Sequence, residues 1–574
     1  MCKACRHLNI CMVYHKAYGG NSDSSGLGDL FNSLVGHLTI AHCKFLKHWI
    51  GQEQNFFSES GMNNLDCTFR CGDYVVLSTE AGRIAVASGV INDISQSHVS
   101  VSFSRRLRLP GIDRSLEMER LIQEVWRIDK DEFASSFAIM RFNLIQLFAQ
   151  SSQCGHLRKM IVDLETPRFD SEGILSQDPA VSYIRSEKNL NDDQRRSVQK
   201  ILATKDYTLI LGMPGTGKTS TMGIDFVRVG RREAVHTDVL EHCFTEDMHS
   251  VDEIKAKMEH VRVVGVTCLG INHPLLVNKK FDICIMDEAG QTTLPVSLGP
   301  LMLASKFVLV GDHYQLPPLV QSTEARENGM CISLFCRLSE AHPQAISALQ
   351  CQYRMCAGIM ELSNALIYGN RLRCGSSEIA DAKLEFSCSK STILWQQEIL
   401  NPNRPVIFVS TDNLAATEEQ DHKALASYSE AYIISEITKE LIRRGIAGDG
   451  IGIITPYNSQ ANIIRQVIGA SVEVQTIDKY QGRDKDCIMV SFVRSSKNFR
   501  SCNSSLLGDW HRINVAITRA KKKLIMVGSC ETLSRVPLLK LLIEKVNEQD
   551  GIVRISNSDL PCLEELKKSF HPSL

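Results

Sequence analysis

The chain has 574 residues, 43% of them hydrophobic and 22% charged, an ordinary mixture for a globular protein large enough to form several domains. Its 64 basic and 65 acidic residues give a formal net charge of -1, so any nucleic-acid contact must come from local basic patches rather than from a field around the whole molecule. The 20 cysteines, without an apolar secretory segment at Met1, indicate a reducing compartment, and the lack of an apolar run of roughly 18 residues argues against a membrane partner.

The first third of the sequence predicts helices and short strands. A Gly/Ser-rich patch at residues 19–29 precedes an apolar, His-rich stretch, LVGHLTIAHCKFLKHWI, which predicts a helix. Between Gly72 and Phe103, the β-branched segments DYVVLS, RIAVASGVINDI and HVSVSFS predict a small β-barrel. From Leu116 to Leu164 the helical spacing of LEMERLIQEVWRI and FAIMRFNLIQLF predicts a helical stalk.

From Leu190 onward, apolar runs typical of buried parallel strands recur in two series. The first series comprises TLILG at 208, VRVVGVT at 261, FDICIMDE at 281 and KFVLVGD at 306. The second comprises PVIFVST at 405, GIGIITP at 450, DCIMVSF at 486 and KLIMVGS at 523. Because helices must cover both faces of such strands, two series predict two α/β domains.

A phosphate-binding loop follows the first of these strands. GMPGTGKT fits G-x-x-x-x-G-K-[ST] directly after YTLIL, and a chance match is the alternative interpretation. Glycine lets backbone N–H groups surround the phosphates, Lys218 places a positive charge beside the β and γ oxygens, and the Thr219 hydroxyl can bind Mg²⁺. The predicted ATP-binding residues of the loop are Gly212, Met213, Pro214, Gly215, Thr216, Gly217, Lys218 and Thr219.

A pair of carboxylates, Asp287 and Glu288, ends the apolar strand in IMDEAGQ. At a strand end, Asp287 can hold the magnesium ion and Glu288 can polarise the attacking water. The alternative is a solvated acidic turn. Together with the phosphate loop, the pair favours a nucleotide hydrolase.

Further motifs complete an ordered set: VGDHYQLPPL at 310, QYRM at 352, ITPYNSQ at 454, TIDKYQGRDKD at 476 and NVAITRAK at 514. In this order they resemble superfamily 1 helicases of the Upf-like group, and most of all the family of eukaryotic DNA replication ATP-dependent helicase/nucleases, over nearly the whole chain. The resemblance implies an α/β protein with two tandem RecA-like parallel-sheet domains, preceded by the small β-barrel and the helical stalk. It implies an ATP-dependent translocase on single-stranded DNA, acting in Okazaki-fragment flap processing and double-strand-break repair.

The resemblance also implies domain boundaries. Residues 1–64 correspond to the carboxy-terminal remnant of a nuclease domain with a cysteine triad, 65–110 to the β-barrel, 111–189 to the stalk, 190–350 to the first helicase domain, 351–545 to the second, and 546–574 to a tail.

Residue roles follow from the same resemblance. Gln194 is expected to read adenine and Gln315 to sense the γ-phosphate. Arg354 and Arg519 are expected to act as arginine fingers from the second domain, where a rigid guanidinium stabilises the charge of the dissociating phosphoryl group. The expected contacts to single-stranded DNA are Thr267, Tyr457 and Thr476. The basic run RAKKK at 519 could form a nucleic-acid patch, but we interpret it as structural because it joins a helix to a strand.

The amino terminus carries cysteines in a C-x2-C-x5-C pattern. Cys2, Cys5 and Cys11 resemble the last three ligands of the family's [4Fe-4S] cluster, one short of a complete set. The family's fourth ligand and its nuclease carboxylates lie farther upstream, so no nuclease activity is assigned, and reduced cysteines of an incomplete site are the alternative. Cys43, Cys67 or Cys71 could substitute, although their spacing does not recommend them.

The chain after the phosphate loop is shorter than the resemblance implies. TSTM passes directly into IDFVRVG after Met222, so we predict that some tens of residues are lacking, including the rest of a helix, one strand and one DNA-contact segment. Unpaired backbone groups cost roughly 1 to 3 kcal/mol each, against a total stability of about 5 to 15 kcal/mol. We therefore expect weak binding of single-stranded DNA and poor ATP hydrolysis.

Two other functions stay open at this point. An Upf-like RNA helicase would share all the motor motifs, and a non-catalytic fragment that binds nucleic acid or a partner would explain the missing strand. For the DNA helicase, the resemblance implies flap or single-stranded DNA and replication and repair proteins, such as a single-strand-binding protein, as partners. It also implies a location in the nucleus and, in addition, the mitochondrion.

Overall fold

The structure is a computed structural model that describes residues 8–58, 74–79, 87–94, 98–103, 125–130, 132–171, 179–217, 226–230, 237–243, 258–276, 279–387, 393–414, 418–421, 424–468, 471–495 and 506–560. Within these ranges no helix is long and apolar enough to cross a membrane.

The amino-terminal region is helical, with helices at Leu8–Ala17, Ser22–Ser25, Asp29–Val35 and Ile40–Ser58. The single helix predicted for LVGHLTIAHCKFLKHWI is interrupted, and this part of the prediction was wrong. Gly36 follows the last residue of the third helix, and the Thr39 hydroxyl accepts a hydrogen bond from the His42 backbone N–H at 3.2 Å, as a residue preceding a helix does. The Thr39 side chain thus caps the fourth helix, and the continuous apolar pattern of the sequence forms two helices instead of one.

These helices do not form a separate domain. Together with helices Glu132–Leu147 and Ser152–Ile161, their apolar side chains join the same core as the first parallel sheet, through residues such as Phe31, Leu46 and Phe148. The prediction of helix for FAIMRFNLIQLF is confirmed.

Four antiparallel strands follow the amino-terminal helices: β1 at Tyr74–Thr79, β2 at Ala87–Ile94, β3 at Val99–Phe103 and β4 at Trp126–Lys130. Their order is β3-β2-β1-β4, an open sheet in which the described residues of β3 and β4 do not pair. Strands β1, β2 and β3 were predicted, but β4 was not, and the closed barrel is not confirmed.

The helix predicted for LEMERLIQEVWRI was wrong at its carboxyl end, because Trp126–Lys130 is β4 and pairs antiparallel with β1. Apolar Trp126 and Ile128 alternate with Arg127 and Asp129, which is typical of a strand. The segment is extended because it forms backbone hydrogen bonds with the edge of β1. Residues 104–124 lie outside the described ranges.

We call the sheet and helices from residue 179 to residue 349 the first lobe. It contains β5 at Tyr207–Gly212, β6 at Phe226–Val229, β7 at Val263–Val266, β8 at Phe281–Met286, β9 at Ala304–Gly311 and β10 at Ile346–Leu349. The parallel sheet has the order β10-β5-β9-β8, while β6 and β7 form a separate parallel pair. Its principal helices are Pro179–Ser186, Asp192–Ala203, Leu294–Leu301, Thr323–Glu327 and Leu334–Ala341.

An apolar cavity of about 520 Å³ lies between β7 and β8. Ile285 on β8 is 62% exposed and Val263 on β7 is 43% exposed, although both belong to strands of the apolar type that normally lies inside a parallel sheet. By contrast, every residue of β5 is buried. An additional strand between β7 and β8 would cover these side chains, so the cavity is what the loss of one internal strand would leave.

The second lobe has a six-stranded parallel sheet of order β17-β16-β18-β19-β13-β20. Its strands are β13 at Val406–Ser410, β16 at Ile451–Thr455, β17 at Glu473–Thr476, β18 at Lys485–Ser491, β19 at Ala520–Gly528 and β20 at Ile552–Arg554. Two small strand pairs accompany this sheet: β11 at Cys351–Gln352 with β12 at Arg373–Cys374, and β14 at Glu418–Asp421 with β15 at Ala424–Ser427. Its helices are Ala357–Ser363, Ser377–Ala380, Leu394–Ile399, Tyr428–Arg443, Asn458–Ile468, Trp510–Ile517, Cys530–Leu533 and Pro537–Glu548, with a π-helical turn at Asn364–Tyr368.

All eight strands that the two series of apolar runs predicted are confirmed, as is the division into two parallel sheets. Strand β20 falls within the segment expected to be a tail, yet it pairs with β13, so residues 552–554 belong to the second sheet.

Candidate active site

A pocket of about 240 Å³ lies where the loop after β5 meets the second lobe. Its lining residues are Met213, Pro214, Gly215, Thr216, Gly217, Glu288, Gln315, Arg354, Gly482 and Arg519. Nine of these ten are residues singled out in the sequence, drawn from five separate motifs. The tenth, Gly482, was missed; it has φ of 79°, and its place in YQGRD was the only sequence signal.

The phosphate loop is tightly folded and touches the second lobe. Gly215 and Gly217 have φ of 73° and 69°, in the left-handed region that favours glycine. A Cβ atom on Gly215 would lie 2.6 Å from Cβ of Arg354, and the Gly215 carbonyl accepts a hydrogen bond from the Tyr353 backbone N–H at 2.8 Å. Only glycine fits this approach. Lys218 and Thr219 lie outside the described residues.

Gln194 lies beside the loop, on the first turn of helix Asp192–Ala203. The Asn191 side chain caps this helix, and the Gln194 side-chain oxygen accepts a hydrogen bond from the Asn191 backbone N–H at 3.0 Å, the reciprocal pattern of a capping box. The Gln194 amide also donates to the Thr216 carbonyl at 3.4 Å. These contacts hold Gln194 at the edge of the pocket without making it part of the lining.

Of the two carboxylates at the end of β8, Glu288 lines the pocket and Asp287 does not. Glu288 lines the pocket, has φ of 51°, and accepts a hydrogen bond from the Gln291 side chain at 2.7 Å. A non-glycine residue in the left-handed region is strained, and such strain is concentrated at functional sites. Asp287 is exposed, and its Oδ1 accepts from the Glu288 backbone N–H at 2.9 Å. Asp287 is therefore next to the pocket and outside its lining.

Gln315 reaches the pocket from the loop after β9. Its side chain is 6% exposed, and its amide donates to Oδ2 of the buried Asp312 at 3.0 Å. The Gln481 side chain of the second lobe approaches the Gln315 oxygen at 3.5 Å. The amide orientation of Gln315 is thus fixed from both lobes.

Arg354 enters the pocket from the segment after β11. Its Nε donates to Asp484 Oδ2 at 3.0 Å and its Nη1 to the Thr518 carbonyl at 3.2 Å. Burial raises the pKa of Asp484, but Lys521 and Arg354 outweigh that effect and the pKa is lowered overall. Asp484 therefore stays ionised and holds the guanidinium.

Arg519 is almost completely buried, with 2% of its surface exposed. Its guanidinium donates to the Val515 carbonyl at 2.9 Å and to the Thr518 hydroxyl at 2.8 Å, and no carboxylate of the described residues forms an ion pair with it. Burial, followed by the nearby positive charge of Arg354, lowers the pKa of Arg519 to about 9. A buried cation without a paired anion is costly, so the site favours an incoming anion.

The three residues expected to contact DNA do not line this pocket. Thr267 is exposed just after β7, and its hydroxyl accepts from the Gly270 backbone N–H at 3.2 Å. Tyr457 is half-buried after β16, and Thr476 is buried at the end of β17. All three therefore lie at carboxyl ends of parallel strands, one in the first lobe and two in the second.

The RAKKK run is structural, as expected from its position. Lys523 is 1% exposed, and its ammonium donates to the Asn401 carbonyl at 2.9 Å and to the Arg404 carbonyl. Burial lowers the pKa of Lys523 to about 7. Lys522 pairs with Asp486 at 2.9 Å, so these lysines do not form a free basic patch.

The amino-terminal cysteines do not form a recognisable metal site in the described part of the chain. Cys11 is exposed on helix Leu8–Ala17, and Cys2 and Cys5 lie outside the described residues, as do Cys67 and Cys71. No group of three His, Cys, Asp or Glu side chains that could hold a metal is found among the described residues.

Comparison with known proteins identifies the family. A family model described as an AAA domain matches residues 330–531, and a second with the same description matches residues 249–323. The chain is 54% identical over 668 residues to the DNA replication ATP-dependent helicase/nuclease JHS1 of Arabidopsis thaliana, covering 98% of this chain and 50% of that protein. It is 36% identical over 551 residues to the DNA replication ATP-dependent helicase/nuclease DNA2 of Homo sapiens, covering 86% and 50%.

Among solved structures, the complex of arterivirus nonstructural protein 10 (helicase) with DNA is similar with a TM-score of 0.30 and 15% identity, covering 58% of this chain and 63% of that one.

The chain spans about half the length of these two curated relatives. The alignment with the Arabidopsis protein extends over 668 residues, more than the 574 of this chain, so that relative contains residues without a counterpart here. This agrees with the predicted absence of an internal segment. By sequence and by the motifs gathered around its pocket, the chain belongs to the family of DNA replication ATP-dependent helicase/nucleases.

Proposed function

We propose that the chain is an ATP-hydrolysing motor that moves on single-stranded DNA. The observation that carries the proposal is the pocket itself, in which the phosphate loop of the first lobe faces Arg354 and Arg519 of the second. A triphosphate placed there would supply the anion that buried Arg519 lacks among the described residues. Its hydrolysis and release would weaken the attraction between the lobes and let them separate.

Each side chain has a role in this proposal. The backbone of the loop and Lys218 bind the β- and γ-phosphates, and Gln194 reads the base. Glu288 orients the attacking water, and Gln315 contacts the γ-phosphate from the side opposite the loop. Arg354 and Arg519 stabilise the negative charge on the departing phosphoryl oxygens, an effect worth about 10³ to 10⁵ in rate.

Magnesium fits the residues near the pocket. Thr219 and Asp287 would hold it, and when bound it neutralises charge on the phosphate oxygens. The exposed carboxylate of Asp287 beside the lining residue Glu288 supports this assignment.

The proposed substrate strand crosses both lobes. Thr267, Tyr457 and Thr476 lie at carboxyl ends of parallel strands, where loops of such sheets bind ligands. We extend the proposal to flap and single-stranded DNA in Okazaki-fragment processing and double-strand-break repair, to partners such as a single-strand-binding protein, and to a place in the nucleus and the mitochondrion. The named activity of the curated relatives supports the replication role.

An iron–sulfur cluster is not supported by the described residues, because Cys11 has no neighbouring group of ligands there. No step of the proposed mechanism passes through such a cluster. The proposal also includes no nuclease chemistry.

The test is ATP hydrolysis by the purified chain with and without single-stranded DNA. We expect slow hydrolysis that DNA stimulates, that Lys218→Ala abolishes, and that the exposed-surface control Lys188→Ala leaves unchanged. Stronger stimulation by RNA than by DNA would favour the RNA-helicase alternative. Phosphate release that Lys218→Ala does not alter would contradict the proposal.

A second candidate is a nucleic-acid-binding protein without turnover, favoured by the cavity between β7 and β8. It predicts DNA binding that is independent of ATP. Fluorescence anisotropy with a labelled single strand separates the two candidates, because a motor should change its DNA affinity when a non-hydrolysable ATP analogue is added. Thr267→Ala and Tyr457→Ala should each weaken binding of the strand in either case.

A further inference from the structure

Tyr368 of the second lobe is completely buried against the first lobe. It is the last residue of the π-helical turn Asn364–Tyr368, and such turns are frequently found at functional sites. The Tyr368 hydroxyl donates a hydrogen bond to Asp312 Oδ2 at 2.7 Å. It also accepts one from the Asn514 side chain at 2.8 Å.

The first-lobe end of this contact leads directly to the nucleotide pocket. Asp312 Oδ2 accepts a second hydrogen bond, from the Gln315 side chain at 3.0 Å, and Gln315 lines the pocket. Tyr368 and Gln315 therefore share a single carboxylate oxygen. If the Tyr368 hydroxyl is lost, Asp312 Oδ2 keeps Gln315 as its partner, but the connection from Asp312 to the second lobe through Tyr368 is broken.

The second-lobe end leads to the arginines. Asn514 is buried on helix Trp510–Ile517, and its amide also donates to the Tyr314 carbonyl of the first lobe at 2.6 Å. The residues at the end of this helix hold both guanidinium groups, through the Thr518 carbonyl for Arg354 and the Val515 carbonyl for Arg519. The position of the helix thus sets the position of the arginines.

We propose that Tyr368 is a positioning residue that couples Gln315 to helix Trp510–Ile517, so that contact of Gln315 with the γ-phosphate and the placement of the arginines change together. This inference rests on the proposed ATP-driven motor. It adds a residue outside every motif on which that function was predicted. Hydrogen bonds inside a protein are electrostatically stronger than in water, which makes the buried hydroxyl an effective link.

The variant Tyr368→Phe removes only the hydroxyl and keeps the ring. Tyr207→Phe is the matched control, because Tyr207 is equally buried, on β5 of the first lobe, and its hydroxyl has no hydrogen-bond partner among the described residues. We expect Tyr368→Phe to lower the DNA-stimulated kcat about tenfold with the KM for ATP changed less than about twofold, and Tyr207→Phe to change neither.

A double-mutant cycle distinguishes coupling from general loosening. In a Gln315→Ala background, Tyr368→Phe should reduce kcat further by less than about twofold, because its effect passes through Gln315. Equal losses in both backgrounds would overturn the proposal, as would parallel losses in kcat and in thermal stability for Tyr368→Phe and Tyr207→Phe.

Hydrogen exchange of the nucleotide-free protein gives a readout that does not depend on turnover. Tyr368→Phe should speed amide exchange both in residues 312–315 and in helix Trp510–Ile517, whereas Tyr207→Phe should do neither. Faster exchange in the helix alone would overturn the coupling. If the wild-type chain hydrolyses no ATP, the proposed function fails, and the exchange result still decides whether Tyr368 links the two segments.

Discussion

Replacing Arg519 by methionine should abolish turnover and stabilise the fold. Arg519 is 2% exposed, and burial lowers the pKa of its guanidinium to about 9 from an ordinary value above 12. Each pH unit by which the pKa is lowered corresponds to about 1.4 kcal/mol, so a pKa lowered by more than about three pH units means that the buried charge costs the folded state roughly 5 kcal/mol. Because the folded pKa is the lower one, this cost is fully present below pH 9 and declines only above it.

Methionine is unbranched and uncharged, although it is shorter than arginine, so Arg519→Met removes the cost of the buried charge. It also removes the hydrogen bonds to the Val515 carbonyl and the Thr518 hydroxyl, worth about 1 kcal/mol each in net terms. We expect a net gain of about 1 to 3 kcal/mol in the free energy of unfolding at pH 7.5, and a loss of ATP hydrolysis of about 10³-fold or more.

Urea unfolding followed by circular dichroism measures the first quantity, and phosphate release measures the second. Arg512→Met is the matched control on the adjoining helix, since Arg512 is paired with Asp509 at 2.8 Å and with Asp478 at 2.9 Å. It should lose up to about 1 kcal/mol. An Arg519→Met protein less stable than the wild type would refute the reasoning, because the charge would then be compensated within the folded chain.

Three further predictions follow from single contacts. Gly215→Ala should weaken binding of a fluorescent ATP analogue more than about tenfold, because its Cβ would lie 2.6 Å from Cβ of Arg354 at a φ of 73°; unchanged affinity would show that the loop does not hold this shape in solution. The lowered pKa of Asp484 contributes stability that is present above its unfolded pKa and lost as the pH falls, so Asp484→Asn should flatten the acid limb of the stability profile, and a parallel profile would contradict the pairing. Ile285→Ala should cost less than about 0.5 kcal/mol in urea unfolding because Ile285 is 62% exposed, whereas Ile453→Ala, at a completely buried position in the second sheet, should cost about 2 to 5 kcal/mol; equal costs would mean that the cavity between β7 and β8 is filled.

The long strands could be predicted from sequence because each is a continuous apolar run rich in β-branched residues. Strands β6 and β10, with the sequences FVRV and ISAL, do not stand out because a polar residue interrupts each short apolar run. Strand β4 was mistaken for a helix because its five residues follow a longer stretch of helical spacing, and only the free edge of β1 selects the extended form. Closure of the barrel depends on long-range pairing that no local pattern encodes.

The pocket was largely predictable because its residues fall in compact motifs whose order is informative. The link through Tyr368 was not, since the partners of its hydroxyl, Asp312 and Asn514, lie 56 and 146 residues away along the chain. Whether a buried tyrosine is an inert core residue, like Tyr207, or a connection between lobes depends on which polar atoms the fold places beside it.

The shared core of the amino-terminal helices and the first lobe sets the limits for a minimal expression fragment. Phe45 lies under the Arg337 guanidinium at 5.5 Å, and the Asn143 amide donates to the Pro295 carbonyl at 3.1 Å. A protein begun at Leu190 would leave these first-lobe surfaces bare, and we expect it to precipitate. The collar formed by residues 8–58 and 132–171 travels with the first lobe as one body, so in single-molecule work a handle fixed to the collar would report the movement of that lobe directly.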